Sequence, residues 1–131
     1  MRLFIFLTIF SLAYRLEAEV KTSISLNEYA PSFQKAFGAI HHKKPNFNSE
    51  DYLFTYPCGG GAVCGSIFDS SLNRFVSLPD DFIGASEVEE FNLKFTSFTN
   101  EICIWGQSAY NSKIYNGQCF MYKNGEVLPK K

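Results

Sequence analysis

Hydrophobic and polar positions follow three different patterns along this chain. Behind Met1-Arg2, residues 3–12 form a nearly continuous apolar run, LFIFLTIFSL. Further on, Tyr29, Phe33, Phe37 and Ile40 recur every three to four residues, the spacing that places side chains on one face of a helix. Ser25 followed by Glu28 has capping-box spacing, Pro31 is tolerable in a first turn, and Gly38 supplies a stop. From Tyr52 onward the pattern shortens to aromatic and β-branched runs separated by Gly, Asn, Asp and Pro, as in an antiparallel meander. Strands are expected over 52–56, 63–68, 74–78, 92–98, 101–105, 118–122 and 126–128. Asn124-Gly125 predicts a two-residue type I′ hairpin turn, and Asn116-Gly117 marks a further turn.

The first apolar run is too short for a membrane-spanning helix, which needs about 20 residues. It reads as a secretory signal peptide over residues 1–18, cleaved after Ala18 with Leu16 three residues before the cut, Ser11-Leu12-Ala13 offering an earlier site. No cysteine lies near the cut to carry a lipid. Residues 19–131 are then expected to form a single β-rich domain, periplasmic or secreted, with no stable membrane insertion after cleavage. The fold class expected is α+β and mainly β: a small antiparallel sheet with one N-terminal helix against it, stabilised by disulfides.

Cys58, Cys64, Cys103 and Cys119 are an even set, and in an exported chain they favour disulfides over metal thiolates. Of three pairings, Cys58 with Cys64 and Cys103 with Cys119 is preferred. The first pair brackets a Gly59-Gly60-Gly61 turn, and the second joins what reads as adjacent strands. The formal net charge of -1 shows no basic excess, so no nucleic-acid partner is expected. Aromatic residues make up 17% of the chain, and alternation such as Phe91, Leu93, Phe95 assigns most of them to a core. Tyr52, Tyr56, Trp105 and Tyr110 are the candidates for an external groove.

Candidate chemistry is sparse. His41-His42, before Lys43-Lys44, read as a solvated loop, since adjacent imidazoles rarely reach one metal and no third ligand stands at a suitable spacing. Ser66, Asp69 and His42 contain the residue types of a hydrolytic triad, but no Gly-x-Ser-x-Gly elbow accompanies them. The three glycines lack the Lys-Ser/Thr ending of a phosphate-binding loop. No cofactor, no metal and no catalytic set are expected. Asp80, Asp81, Glu87, Glu89 and Glu90 concentrate negative charge in one connection between strands. Such a segment is either a solvated loop or a contact surface for a basic partner, where complementary charge speeds and orients association.

Pro45-Asn46-Phe47, Tyr52, Cys58-Gly59-Gly60-Gly61 with Cys64, Ile67-Phe68-Asp69, Val76 and Leu78-Pro79, with the later Tyr122-Lys123-Asn124-Gly125, resemble a family of small exported, largely uncharacterised Gram-negative bacterial proteins. The resemblance implies export and a common β-rich fold, and brings no catalytic residues. The chain departs from that pattern in the longer Gly-Gly-Gly-Ala-Val insert between its first two cysteines. Three functions follow as expectations. The first is an envelope protein that binds a partner protein, as an inhibitor or immunity protein against a cell-wall-active enzyme or toxin. Its binding residues would be Gly59, Gly60, Gly61, Glu87, Glu89 and Glu90. The alternatives are a small ligand-binding domain or hydrolase with an aromatic groove, and a structural envelope component.

Overall fold

The computed structural model describes residues 25–131; the apolar run and the expected cut after Ala18 lie outside the described residues. One helix, α1 (Pro31–His41), precedes eight strands: β1 (Tyr52–Gly59), β2 (Ala62–Asp69), β3 (Arg74–Ser77), β4 (Phe82–Ile83), β5 (Asn92–Lys94), β6 (Glu101–Gln107), β7 (Ile114–Lys123) and β8 (Glu126–Pro129). The helix starts later than the Ser25/Glu28 spacing predicts. Ala30 is its N-cap, with no side-chain hydrogen bond, and Pro31 occupies the first turn, where its missing N–H is no loss. Tyr29 lies just outside and stacks on Phe33 with ring centroids 4.2 Å apart. Gly38 does not stop the helix: it faces open space inside it, and the helix runs on to His41.

Two antiparallel sheets form, one ordered β1-β2-β3 with β4 also pairing to β2, the other β5-β6-β7-β8. The first sheet is covered on both faces, which is why Tyr52, Leu53 and Phe54 are all buried although successive strand residues point to opposite sides. Tyr52, Phe54 and Phe68 pack with Phe33 and Phe37 of α1. Leu53 and Ile67 point the other way, into a core shared with Ile102, Ile104, Tyr115 and Phe120 of the second sheet. The result is three layers, helix on sheet on sheet. Phe91, Leu93 and Phe95 flank the inter-sheet core half-buried, as their alternation predicts.

The short strand β4 was not foreseen, yet it joins the layers. Phe82, at 0% exposure, pairs with Val63 of β2 and forms a bridge to Ser108 just beyond β6. Its ring stacks on Phe91 at 4.9 Å and meets Tyr115 edge-on at 5.2 Å. The expected strand at 92–98 is shorter, ending at Lys94. Asn124 (φ 49°) and Gly125 (φ 80°) form the β7–β8 turn with both residues left-handed, as a type I′ turn requires. Asn116-Gly117 is no turn. Ile104 pairs with Gln118 and Trp105 with Asn116, so Gly117 (φ 75°) is an extra residue bulging from β7.

Both expected disulfides are present, Cys58–Cys64 across the first hairpin and Cys103–Cys119 between directly paired residues of β6 and β7. Phe82→Ala is expected to lower the unfolding free energy by about 3–5 kcal/mol, because a fully buried ring that touches both sheets cannot be replaced by local collapse. Urea denaturation checks this; a loss below about 1 kcal/mol would show that β4 is not a joint.

Candidate functional site

The β1–β2 hairpin ends in Gly59, Gly60 and Gly61, all exposed and all with positive φ (102°, 60° and 80°). Only glycine adopts three such conformations in succession without strain. Directly behind them Cys58 bulges out of register with β2 and is tied to Cys64. The tip is therefore an exposed turn whose base is covalently closed. Its edge strand is also blunted, since Asn46 donates from Nδ2 to Leu53 O and accepts from Leu53 N, both at 2.8 Å, and Ser32 Oγ donates to Pro57 O at 2.8 Å.

The acidic connection divides into two parts with different roles. Asp80 and Asp81 are half-buried and their carboxylates are engaged within the fold. Asp80 accepts from Tyr115 OH at 2.9 Å and Ser108 Oγ at 3.1 Å, and Asp81 accepts from Tyr110 OH while its carbonyl takes Ala109 N–H at 2.8 Å. Burial, with the Asp80 carboxylate as acceptor, pushes the Tyr115 hydroxyl up to about 12. These bonds hold the β3–β4 connection against the β6–β7 connection. Beyond β4 the chain passes Gly84, whose N–H donates to Gly61 O at 2.9 Å, directly at the hairpin tip. A Cβ on Gly84 would stand 2.9 Å from that carbonyl oxygen, so the approach depends on glycine.

Ser86 anchors the next turn by donating to Gln107 Oε1 at 2.8 Å and accepting from Val88 N and Glu89 N at 3.2 Å. Glu87 and Glu90 are exposed, Glu89 is half-buried, and Val88 is 66% exposed among them. Glu89, Glu90, Phe91, Asn92 and Trp105 line a surface hollow of about 370 Å³. The structure thus brings Gly84, at the start of the connection, to the hairpin tip, and Ser86 then carries the Glu87–Glu90 segment to β6.

The four aromatic groove candidates do not form one groove. Tyr52 is buried and donates to Lys43 O at 2.7 Å, whereas Tyr56, packed beside α1, and the exposed Tyr110 both lie near Asp81. Trp105 alone lines the hollow beside the carboxylates. His41 and His42 end the helix rather than forming a loop, with His41 stacked on Phe37 at 4.6 Å and His42 Nδ1 3.0 Å from Gly38 O.

At the opposite end a polar cleft of about 540 Å³ includes Asp51, Asp69, Arg74 and Tyr122. Asp69 is buried; its carboxylate accepts from Tyr122 OH, from Ser71 Oγ at 2.8 Å and from Leu72 N at 2.9 Å. Burial alone would raise its pKa, but these donors outweigh it and hold the carboxyl below its ordinary value. Asp51 accepts from Asn48 Nδ2 at 2.9 Å and Ser70 N at 3.0 Å, yet burial dominates and raises its pKa. Both carboxylates fasten loops: Asp51 joins 46–51 to Ser70, and Asp69 joins the β2–β3 turn to β7. Ser66 Oγ lies 3.4 Å from Val76 O and meets neither Asp69 nor His42.

Among the described residues, one group of His, Cys, Asp or Glu gathers three ligand atoms within 4.8 Å, namely Glu101, Cys103 and Cys119. Its sulfurs are bonded to each other, so no thiolate is available to a metal. Fold and site together define a disulfide-braced, two-sheet β domain with one covering helix and a glycine hairpin beside an acidic segment. No protein-family model, curated protein or solved structure matches this chain.

Because the native pKa of Asp69 is lowered, its contribution is fully present above the unfolded value near 3.8 and is lost as pH falls through the native one. Asp51, with a raised pKa, acts in the opposite sense. Asp69→Asn is expected to cost about 1–3 kcal/mol at pH 7. The gap between variant and wild type should narrow as pH drops below about 4, measured by urea denaturation across that range. A gap that does not change with pH would contradict the assignment.

Proposed function

We propose that the protein is an exported binding protein, an inhibitor or immunity protein that occludes a basic wall-active enzyme or toxin in the cell envelope or outside the cell. The observation that carries this reading is the Gly84 N–H to Gly61 O bond, which starts the connection bearing Glu87, Glu89 and Glu90 at the braced hairpin tip. A tip closed by Cys58–Cys64 loses little freedom on binding, so more of its contact energy is retained as affinity. Glu87, Glu89 and Glu90, farther along the same connection, supply the charge that steers a basic partner and sets its orientation. Two disulfides also suit an oxidising compartment. Asp69, the candidate for chemistry in the alternative hydrolase reading, has its carboxylate committed to Tyr122, Ser71 and Leu72, which favours binding over turnover.

Tagged mature protein, kept oxidised, should capture one stoichiometric basic enzyme or toxin from the envelope fraction of the producing cells and reduce that partner's activity at equimolar ratio. Glu87→Gln/Glu89→Gln/Glu90→Gln should weaken the complex about tenfold or more, chiefly through slower association at low salt. Failure to inhibit, or an unchanged affinity in the triple variant, would contradict the proposal.

A further inference from the structure

The hollow beside the acidic segment is built around the chain's single tryptophan. Trp105 lies on β6, where residues 101, 103, 105 and 107 share one face while Ile102 and Ile104 enter the core. Its indole is backed by the β7 bulge: a Cβ on Gly117 would stand 3.0 Å from Cζ2, 3.2 Å from Cε2 and 3.4 Å from Nε1. A side chain at Gly117, already left-handed, would push the ring outward. Ser86 is tied to Gln107, two residues along the same face, and this bond carries Glu89 and Glu90 to the rim of the hollow. Phe91, next to Glu90, stacks its ring on Phe82 and so ties this stretch of chain to the inter-sheet core. A ring backed by Gly117 and the Glu89–Glu90 segment lining the same hollow are therefore held by independent anchors.

Among the described residues these carboxylates have no ion-pair partner. The one ion pair among the described residues joins Lys130 to Glu101, and Lys94, farther along the same face, pairs with neither glutamate. Nor, among the described residues, do Glu89 and Glu90 gather with a third ligand as a metal site would require. The feature that distinguishes this hollow from a solvated acidic loop is the indole, whose π face attracts a flat, weakly hydrated cation more than a compact ammonium. Guanidinium satisfies both halves, stacking on the ring while its N–H groups donate to the carboxylates.

The geometry points to an arginine-recognition site: the hollow of Trp105, Glu89, Glu90, Phe91 and Asn92 takes an arginine side chain of a basic partner protein. This deepens the binding-protein reading and rests on it for the partner, while the site itself is testable alone. Trp105 is its own reporter. Fluorescence of the full oxidised protein, titrated with acetyl-tetra-arginine amide, should change saturably. Acetyl-tetra-lysine amide should bind about threefold or more weakly, the margin the stacking contribution supplies. Glu89→Gln/Glu90→Gln should weaken the arginine peptide about tenfold. Gly117→Ala, judged folded by circular dichroism, should alter the free protein's emission and weaken the peptide as well.

Absence of a saturable change, equal response to both peptides, or an undiminished response in the double variant overturns the arginine site. If these occur while the captured partner is still inhibited, the inhibitor reading survives and this site is refuted. If the peptide binds as expected but no partner is inhibited, the site stands and the inhibitor reading fails.

Discussion

Phe82 is the contact on which the arrangement of this domain depends. A two-residue strand would be negligible in most sheets, but here it pairs with Val63 on one side and bridges to Ser108 on the other. Its ring fills the gap between Phe91 and Tyr115. Without that joint the two sheets would be tied at this end by the apolar core and by hydrogen bonds from connecting segments, with no strand pairing common to both. The bonds from Asp80 to Ser108 and Tyr115, and from Ala109 to Asp81, reinforce the same seam with polar groups. The joint also fixes the relation between the hairpin tip, carried by the first sheet, and Trp105, carried by the second.

The two ends of the sandwich are secured by different means. At the tip end, hydrogen bonds from connections close the seam and leave Glu87, Glu89 and Glu90 directed to solvent or to the hollow. At the other end Asp51 and Asp69 draw loops inward, and their acceptor capacity is used by the backbone and by Tyr122. A charge whose hydrogen bonds are satisfied internally is a structural device, whereas a charge left without an ion pair is available to a partner. That contrast, rather than the number of acidic residues, separates the candidate binding end from the cleft. The edge of β1 follows the same economy. Asn46 imitates a neighbouring strand at Leu53, and Pro57 has no N–H to expose, so little of this edge invites another chain.

Much of this architecture was legible because it is encoded locally. Helix period in Phe33 and Phe37, alternation around Leu93, the Asn124-Gly125 turn and the disulfide partners all depend on short spacings. Where the reading failed, a distant residue decided. Asn116-Gly117 has turn chemistry, but pairing with β6 continues on both sides of it and Trp105 packs against Gly117, so the glycine becomes a bulge. Asp80 and Asp81 look like their acidic neighbours until Tyr115, Ser108 and Tyr110 arrive from far along the chain. Phe82-Ile83 offers too few residues for any period to register. Trp105 was one of four aromatic candidates, and only the fold separates it from Tyr52, Tyr56 and Tyr110 by placing the glutamates at its side.

Amide hydrogen exchange across the seam tests the account most directly. If the joint at Phe82 locks the two sheets into one unit, the N–H groups of Gly84, bonded to Gly61 O, and of Ala109, bonded to Asp81 O, will exchange slowly, together with the amides of β2 and β6. Rapid exchange at Gly84 and Ala109 while β2 and β6 remain protected would show that the seam opens independently. The hairpin tip and the Trp105 hollow would then not form a single prepared surface.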